Sequence, residues 1–137
     1  MLAAKNGYKD RIDHSRADAV TALESMSRSG GCDLVLCDPP KLAPSRGKRD
    51  AALGAYRRIA RAACRATRTG GLLVISSCSA AIGVEDLIRA LALGARDANL
   101  EAVILERHFQ SPDHPVPAAF PEGLYLKSVI ARIEALS

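Results

Sequence analysis

The spacing of hydrophobic and polar positions changes period repeatedly along this chain, dividing it into alternating strands and helices without an internal repeat. Leu2 to Lys5 reads as the last turn of a helix, because Asn6-Gly7 supplies the left-handed residues on which helices commonly end. Arg11 to Arg16 has the pattern of a short strand, Asp18 stands as a cap for a helix over residues 19–27, and Gly30-Gly31 closes that unit. The apolar run within Asp33 to Cys37 has the form of a strand covered on both faces in a parallel sheet, and Asp38-Pro39-Pro40 stops it abruptly. After a loop over residues 44–48, the spacing predicts a helix over 49–67. Leu53, Tyr56, Ala60, Ala63 and Thr67 lie on one stripe of it, and Arg57, Arg61, Arg65 and Arg68 on the next. Gly70-Gly71 is read as the end of that helix, followed by a second buried strand over 72–76. Ser77-Cys78-Ser79 then lies at the strand's C-terminal end, where open parallel sheets place ligands. A helix over 84–98 buries Leu87, Ile88, Leu91 and Ala95 and stops at Asn99. A short strand over 102–106 precedes a loop from His108 to Gly123 punctuated by Pro112, Pro115, Pro117 and Pro121. The closing strand, over 124–133, returns from that loop and is expected to run antiparallel to its predecessor. The class is α/β.

A length of 137 residues with 48% hydrophobic content suits one domain over 1–137 with a packed core. The residues after Met1 lack the pattern of a secretory signal, and no run approaches a membrane span. The expected location is therefore cytoplasmic, with no membrane partner. Cys32, Cys37, Cys64 and Cys78 form no C-x-x-C pair and sit in or beside apolar stretches, so reduced thiols are expected. With His14, His108 and His114 scattered, no metal site is predicted. Charge adds more. Nine of the 19 basic residues fall between Lys41 and Arg68, opposed only by Asp50. That segment carries +8 while the rest of the chain carries −4. Such a separation suits a phosphate backbone, or it marks the solvated face of a helix.

Three landmarks in fixed order carry a resemblance: Asp38-Pro39-Pro40-Lys41 after one buried strand, Ser77-Cys78-Ser79 after the next, and Asp113-His114-Pro115 followed by Pro121-Glu122-Gly123-Leu124-Tyr125-Leu126-Lys127. Together they resemble the C-terminal half of the bacterial 23S ribosomal RNA cytosine carbon-5 methyltransferases, over nearly the whole chain from Asn6-Gly7 to Ile133. The resemblance implies a partial Rossmann-like class I methyltransferase fold: a mostly parallel sheet with an antiparallel last strand, lacking the first two strands. It implies S-adenosylmethionine (SAM) as cofactor, ribosomal RNA as partner and a transferase activity.

Carbon 5 of a pyrimidine is too weak a nucleophile to accept a methyl group directly, and a thiolate adding to carbon 6 activates it. Cys78, between two serines at a strand end, fits that role, whereas Cys37 in an apolar run and Cys64 in a helix fit packing. Asp38 is placed either to hydrogen-bond the target base or to form a strand-terminating turn with Pro39. Asp18 is read either as a helix cap or as the acid that meets the adenine amino group of SAM, with Asp38 and Pro39 also beside the cofactor. Pro40, Lys41, Arg46, Lys48, Arg57 and Arg61 are the residues expected to contact RNA. Amino-group methyltransferases generally follow D-P-P with an aromatic ring; Lys41 stands there instead. His114 and Tyr125 belong to the motifs without an assigned step.

The class I sheet is expected to run 3-2-1-4-5-7-6, and no G-x-G-x-x-G-like strand-to-helix turn for the cofactor occurs in this chain. The segment over 11–16 then has no neighbour to pair with, and the strand ending at Asp38 becomes an apolar edge that invites self-association. The sequence is expected to be a fragment of a longer product. The alternative to an enzyme is a non-catalytic remnant or RNA-binding module unable to hold SAM.

Overall fold

Four strands form a mixed sheet in the order β1-β2-β4-β3, with β1 spanning Cys32–Cys37, β2 Thr67–Ser77, β3 Leu100–Phe109 and β4 Lys127–Ala135. The computed structural model describes residues 2–43 and 46–136. β1 and β2 are parallel, and β4 runs antiparallel to both β2 and β3. This is the 4-5-7-6 portion of the expected order, with the last strand inserted between its two predecessors.

Besides the single turn α1 (Leu2–Lys5), the helices are α2 (Ala19–Arg28), α3 (Arg49–Ala66) and α4 (Val84–Asp97). α3 packs against both α2 and α4, and the layer covers one face of the sheet. Strand periodicity shows which face. Leu73, Ile75 and Ser77 of β2 and Val129, Ala131 and Ile133 of β4 are fully buried, while Leu72, Val74, Ser128, Ile130 and Arg132 alternate with them on the more open side. Leu87, Leu91 and Ala95 of α4 and Tyr56, Ala60 and Ala63 of α3 complete the core at helical spacing. The two helices meet so closely at Gly94 that a Cβ there would lie 2.7 Å from the Cβ of Ala60 and 2.7 Å from the backbone nitrogen of Arg61. α4 stops at Asp97, Ala98 caps it, and the chain turns away at Asn99, whose φ of 57° is the left-handed conformation that asparagine tolerates.

Three expectations are corrected. Residues 11–16 form no strand: a 3-10 turn over Lys9–Arg11 leads into an extended Ile12 without a ladder. A strand exists only by pairing, and among the described residues β1 pairs with β2 alone. Gly70-Gly71 does not end α3 either. The helix stops at Ala66, Thr67 already pairs with Cys32, and the glycines sit inside a bulge where two steps along β1 span five along β2. A Cβ on Gly71 would lie 2.9 Å from the Asp33 carbonyl and 2.8 Å from that of Arg68, so the bulge needs glycine there. β3 is longer than expected at both ends, and β4 begins three residues later than predicted. β1 is an edge strand, as the lack of the first two strands implied, but it is not covered on both faces as its apolar run suggested: the helices cover one face of the sheet, and Leu34 is 52% and Leu36 68% exposed.

Candidate active site

β1 and β2 are adjacent and parallel, with Cys37 opposite Ile75, so the residues that follow them leave the sheet at the same rim. Asp38 follows directly from β1 and Cys78 directly from β2. A hydrogen-bonded framework holds both departures. The hydroxyl of Tyr56, reaching up from α3, donates to Ser77 Oγ at 2.8 Å, and both residues are fully buried. Ser77 Oγ also accepts the backbone N–H of Ser79 at 3.2 Å. Ser79 Oγ in turn accepts the N–H of Ala43 at 3.2 Å, which ties the turn after β2 to the loop after β1. The Ser79 carbonyl receives the N–H of Ile82 at 3.0 Å, closing the turn. Lys127 Nζ donates to the carbonyls of Ser79 at 2.7 Å and Ile82 at 2.6 Å.

The four thiols are not equivalent. Burial pushes Cys37 up to about 11, and burial followed by the charge of Cys37 pushes Cys64 up to about 12. Both are therefore held as inert neutral thiols. Cys78 is only half-buried and stands at the rim.

Asp38 is exposed and Pro39 half-buried. Both line an apolar cleft of about 400 Å³ between α2 and the end of β1, with Ala19, Leu23, Leu36 and Ile59 among its walls. Cys78 is not among the lining residues. Asp18 caps α2, its Oδ1 accepting the Thr21 N–H at 3.0 Å and the Thr21 hydroxyl at 3.2 Å. The cap reading is thus realised, and the carboxylate lies next in sequence to a wall of the cleft.

The basic residues divide by partner. Arg57 grips Asp97 of α4 through Nε at 2.6 Å and a terminal nitrogen at 2.7 Å. That hydrogen bond raises the Arg57 guanidinium and lowers the Asp97 carboxyl. Arg68 pairs with Asp33 at 2.7 Å and Arg49 with Asp86 at 2.5 Å. Lys41, Lys48, Arg58, Arg61 and Arg65 are exposed, and none makes an ion pair among the described residues. The Arg46 side chain lies outside the described residues, as do Pro44 and Ser45. Of the motif residues without an assigned step, His114 sits 3.3 Å from Asp113, and the Tyr125 N–H donates to Gln110. Both belong to the long loop between β3 and β4.

Sequence reasoning missed Tyr56, Ser77, Ser79 and Lys127 as the framework of the turn. Lys127 did carry a signal: it shares the two-residue phase of Val129, Ala131 and Ile133, so a lysine stands where the strand buries its side chains.

No family model matches the chain. It is 34% identical over 133 residues to the ribosomal RNA large subunit methyltransferase I of Shewanella frigidimarina, covering 96% of this chain and 34% of that protein. It is 38% identical over 138 residues to the protein of the same name from Yersinia pseudotuberculosis, covering 96% and 35%. Among solved structures it is similar to SMU.776 complexed with SAH, with a TM-score of 0.67 at 17% identity over 95% of this chain and 35% of that one. It is also similar to NSun6 from Pyrococcus horikoshii with SFG, with a TM-score of 0.61 at 16% identity over 98% and 37%. The chain therefore has the Rossmann-like α/β fold of the class I methyltransferases, and spans about a third of the length of the curated relatives it matches.

Proposed function

We propose that this chain is part of a SAM-dependent methyltransferase that modifies carbon 5 of a cytosine in ribosomal RNA, with Cys78 as covalent nucleophile. The observation that supports this reading best is the shared rim: Asp38 and Cys78 leave adjacent parallel strands at the same end, and Cys78 is a half-buried thiol in a turn held by buried hydrogen bonds. The names of the relatives supply the substrate class.

In the reaction, the Cys78 thiolate adds to carbon 6 of the ring, and the electron pair of the 5,6 double bond becomes available at carbon 5. Carbon 5 takes the methyl group and then loses its proton to a base, and the returning electron pair expels the Cys78 sulfur as the double bond re-forms. Asp38 accepts a hydrogen bond from the exocyclic amino group and so fixes the base with carbon 6 toward the sulfur. A cytosine must leave its stack to reach this rim, and Pro40 offers it an apolar surface. Lys41, Lys48 and Arg61, with Arg46, meet the phosphates; Arg57 is committed to Asp97 and serves mainly to lock α3 onto α4.

SAM supplies the electrophilic methyl group when bound. The cleft between α2 and β1 suits its adenine, since Ala19, Leu23 and Pro39 offer apolar walls and Asp18 keeps Oδ2 outside its cap hydrogen bonds. Among the described residues no glycine-rich strand-to-helix turn stands ready to receive the charged amino-acid end. The test is transfer of tritiated methyl groups from SAM to protein-free large-subunit ribosomal RNA. Cys78→Ala lowers transfer at least about a thousandfold and Asp38→Asn roughly ten- to a hundredfold. Unchanged turnover in Cys78→Ala refutes the covalent mechanism.

A further inference from the structure

Lys127 opens β4 directly opposite Ser77, the last residue of β2, and it is only 5% exposed. Its side chain points to the helix-covered face with Val129, Ala131 and Ile133, a position where an apolar residue would pack at no cost in desolvation. No carboxylate pairs with it among the described residues. Instead, two carbonyl oxygens compensate the buried ammonium, those of Ser79 at 2.7 Å and Ile82 at 2.6 Å. Both belong to the turn that begins with Cys78, and the Ser79 carbonyl already accepts the Ile82 N–H that closes it. A purely structural tether here needs no charge: a neutral amide would satisfy the same oxygens with less desolvation.

We propose that Lys127 is the positioning residue of Cys78, pinning the turn that presents the sulfur and setting a positive charge against the carbonyl of the residue that follows it. The inference rests on the reading of Cys78 as nucleophile. Burial draws the Lys127 ammonium below the usual lysine range, while the negative charges of Cys78 and Asp86 oppose that shift.

The experiment follows iodoacetamide labelling of each cysteine near neutral pH by peptide mass spectrometry, in the wild type, Lys127→Met and Lys127→Arg, with the unfolding midpoint of each. In the wild type Cys78 labels faster than Cys32, Cys37 or Cys64. Lys127→Met slows Cys78 about tenfold and leaves the other three unchanged, and Lys127→Arg restores most of the rate. Slower labelling cannot come from a loosened turn, which would expose the sulfur and speed the reaction. Cys78 labelling within twofold of the wild type, or faster, in Lys127→Met overturns the positioning role while leaving the nucleophile reading intact. Wild-type labelling of Cys78 no faster than that of Cys32 overturns both. Should Lys127→Met fail to fold, Lys127→Gln, which keeps N–H donors on a neutral head, carries the same comparison.

Discussion

Replacing Tyr56 by Phe removes one oxygen from a fully buried position and deletes the 2.8 Å hydrogen bond to Ser77 Oγ. Ser77 Oγ keeps the N–H of Ser79 at 3.2 Å, so the substitution leaves no orphaned acceptor. The cost is then that of an ordinary net hydrogen bond, about 1 kcal/mol, and not the larger penalty of a buried unsatisfied group. For a domain of this size it lowers the thermal midpoint by roughly 3–5 °C. Ser77→Ala is the harsher change, because it strips the acceptor from two donors and strands the phenolic hydroxyl in the core, at about 2–3 kcal/mol. Adding Tyr56→Phe to Ser77→Ala removes that stranded hydroxyl and recovers part of the loss. The sign of the Tyr56 substitution therefore reverses between the two backgrounds, with a coupling of roughly 1–3 kcal/mol. Urea unfolding of the four proteins measures the cycle. An equal loss from Tyr56→Phe in both backgrounds refutes the idea that α3 reaches through the core to brace the turn of Cys78.

Gly94→Ala gains about 1 kcal/mol of helix propensity but forces a Cβ to within 2.7 Å of the Arg61 backbone nitrogen and 2.8 Å of the Arg57 carbonyl. Because backbone cannot step aside as a flexible side chain does, the balance is a destabilisation of roughly 1–3 kcal/mol, read by urea unfolding; a neutral or stabilised variant contradicts the close α3–α4 approach. Leu36→Lys places a charge on the open β1 edge and is expected to suppress concentration-dependent light scattering while changing stability by no more than about 0.5 kcal/mol. Scattering equal to that of the wild type excludes this edge as a route of self-association.

The period of the hydrophobic pattern was enough to read α2, α3, α4 and β1, because each buries one stripe or run against a layer supplied by this chain itself. The segment over 11–16 misled for the opposite reason: pairing is a property of neighbours, and among the described residues no strand lies against it. Gly70-Gly71 reads locally as a stop, yet the parallel pairing of Thr67 with Cys32 starts β2 before the glycines and turns them into a bulge. That Asp38 and Cys78 leave the sheet at one rim was legible, because the ends of adjacent parallel strands lie together. The braces were not. Tyr56 looks like one more core aromatic, and nothing in its spacing reveals that its hydroxyl meets Ser77. Charge counting likewise placed Arg57 on the RNA-facing stripe, while its partner Asp97 lies 40 residues away on another helix.

The most direct measurement of the central claim uses ribosomal RNA carrying 5-fluorocytidine, incubated with the chain and SAM. Fluorine at carbon 5 leaves no proton to remove, so the elimination that would free the sulfur is blocked. The account predicts a denaturation-resistant protein–RNA adduct whose tryptic peptide carries the nucleotide on Cys78, and its loss in Cys78→Ala. An adduct mapped to Cys32, Cys37 or Cys64, or methyl transfer to normal RNA by Cys78→Ala at the wild-type rate, contradicts it.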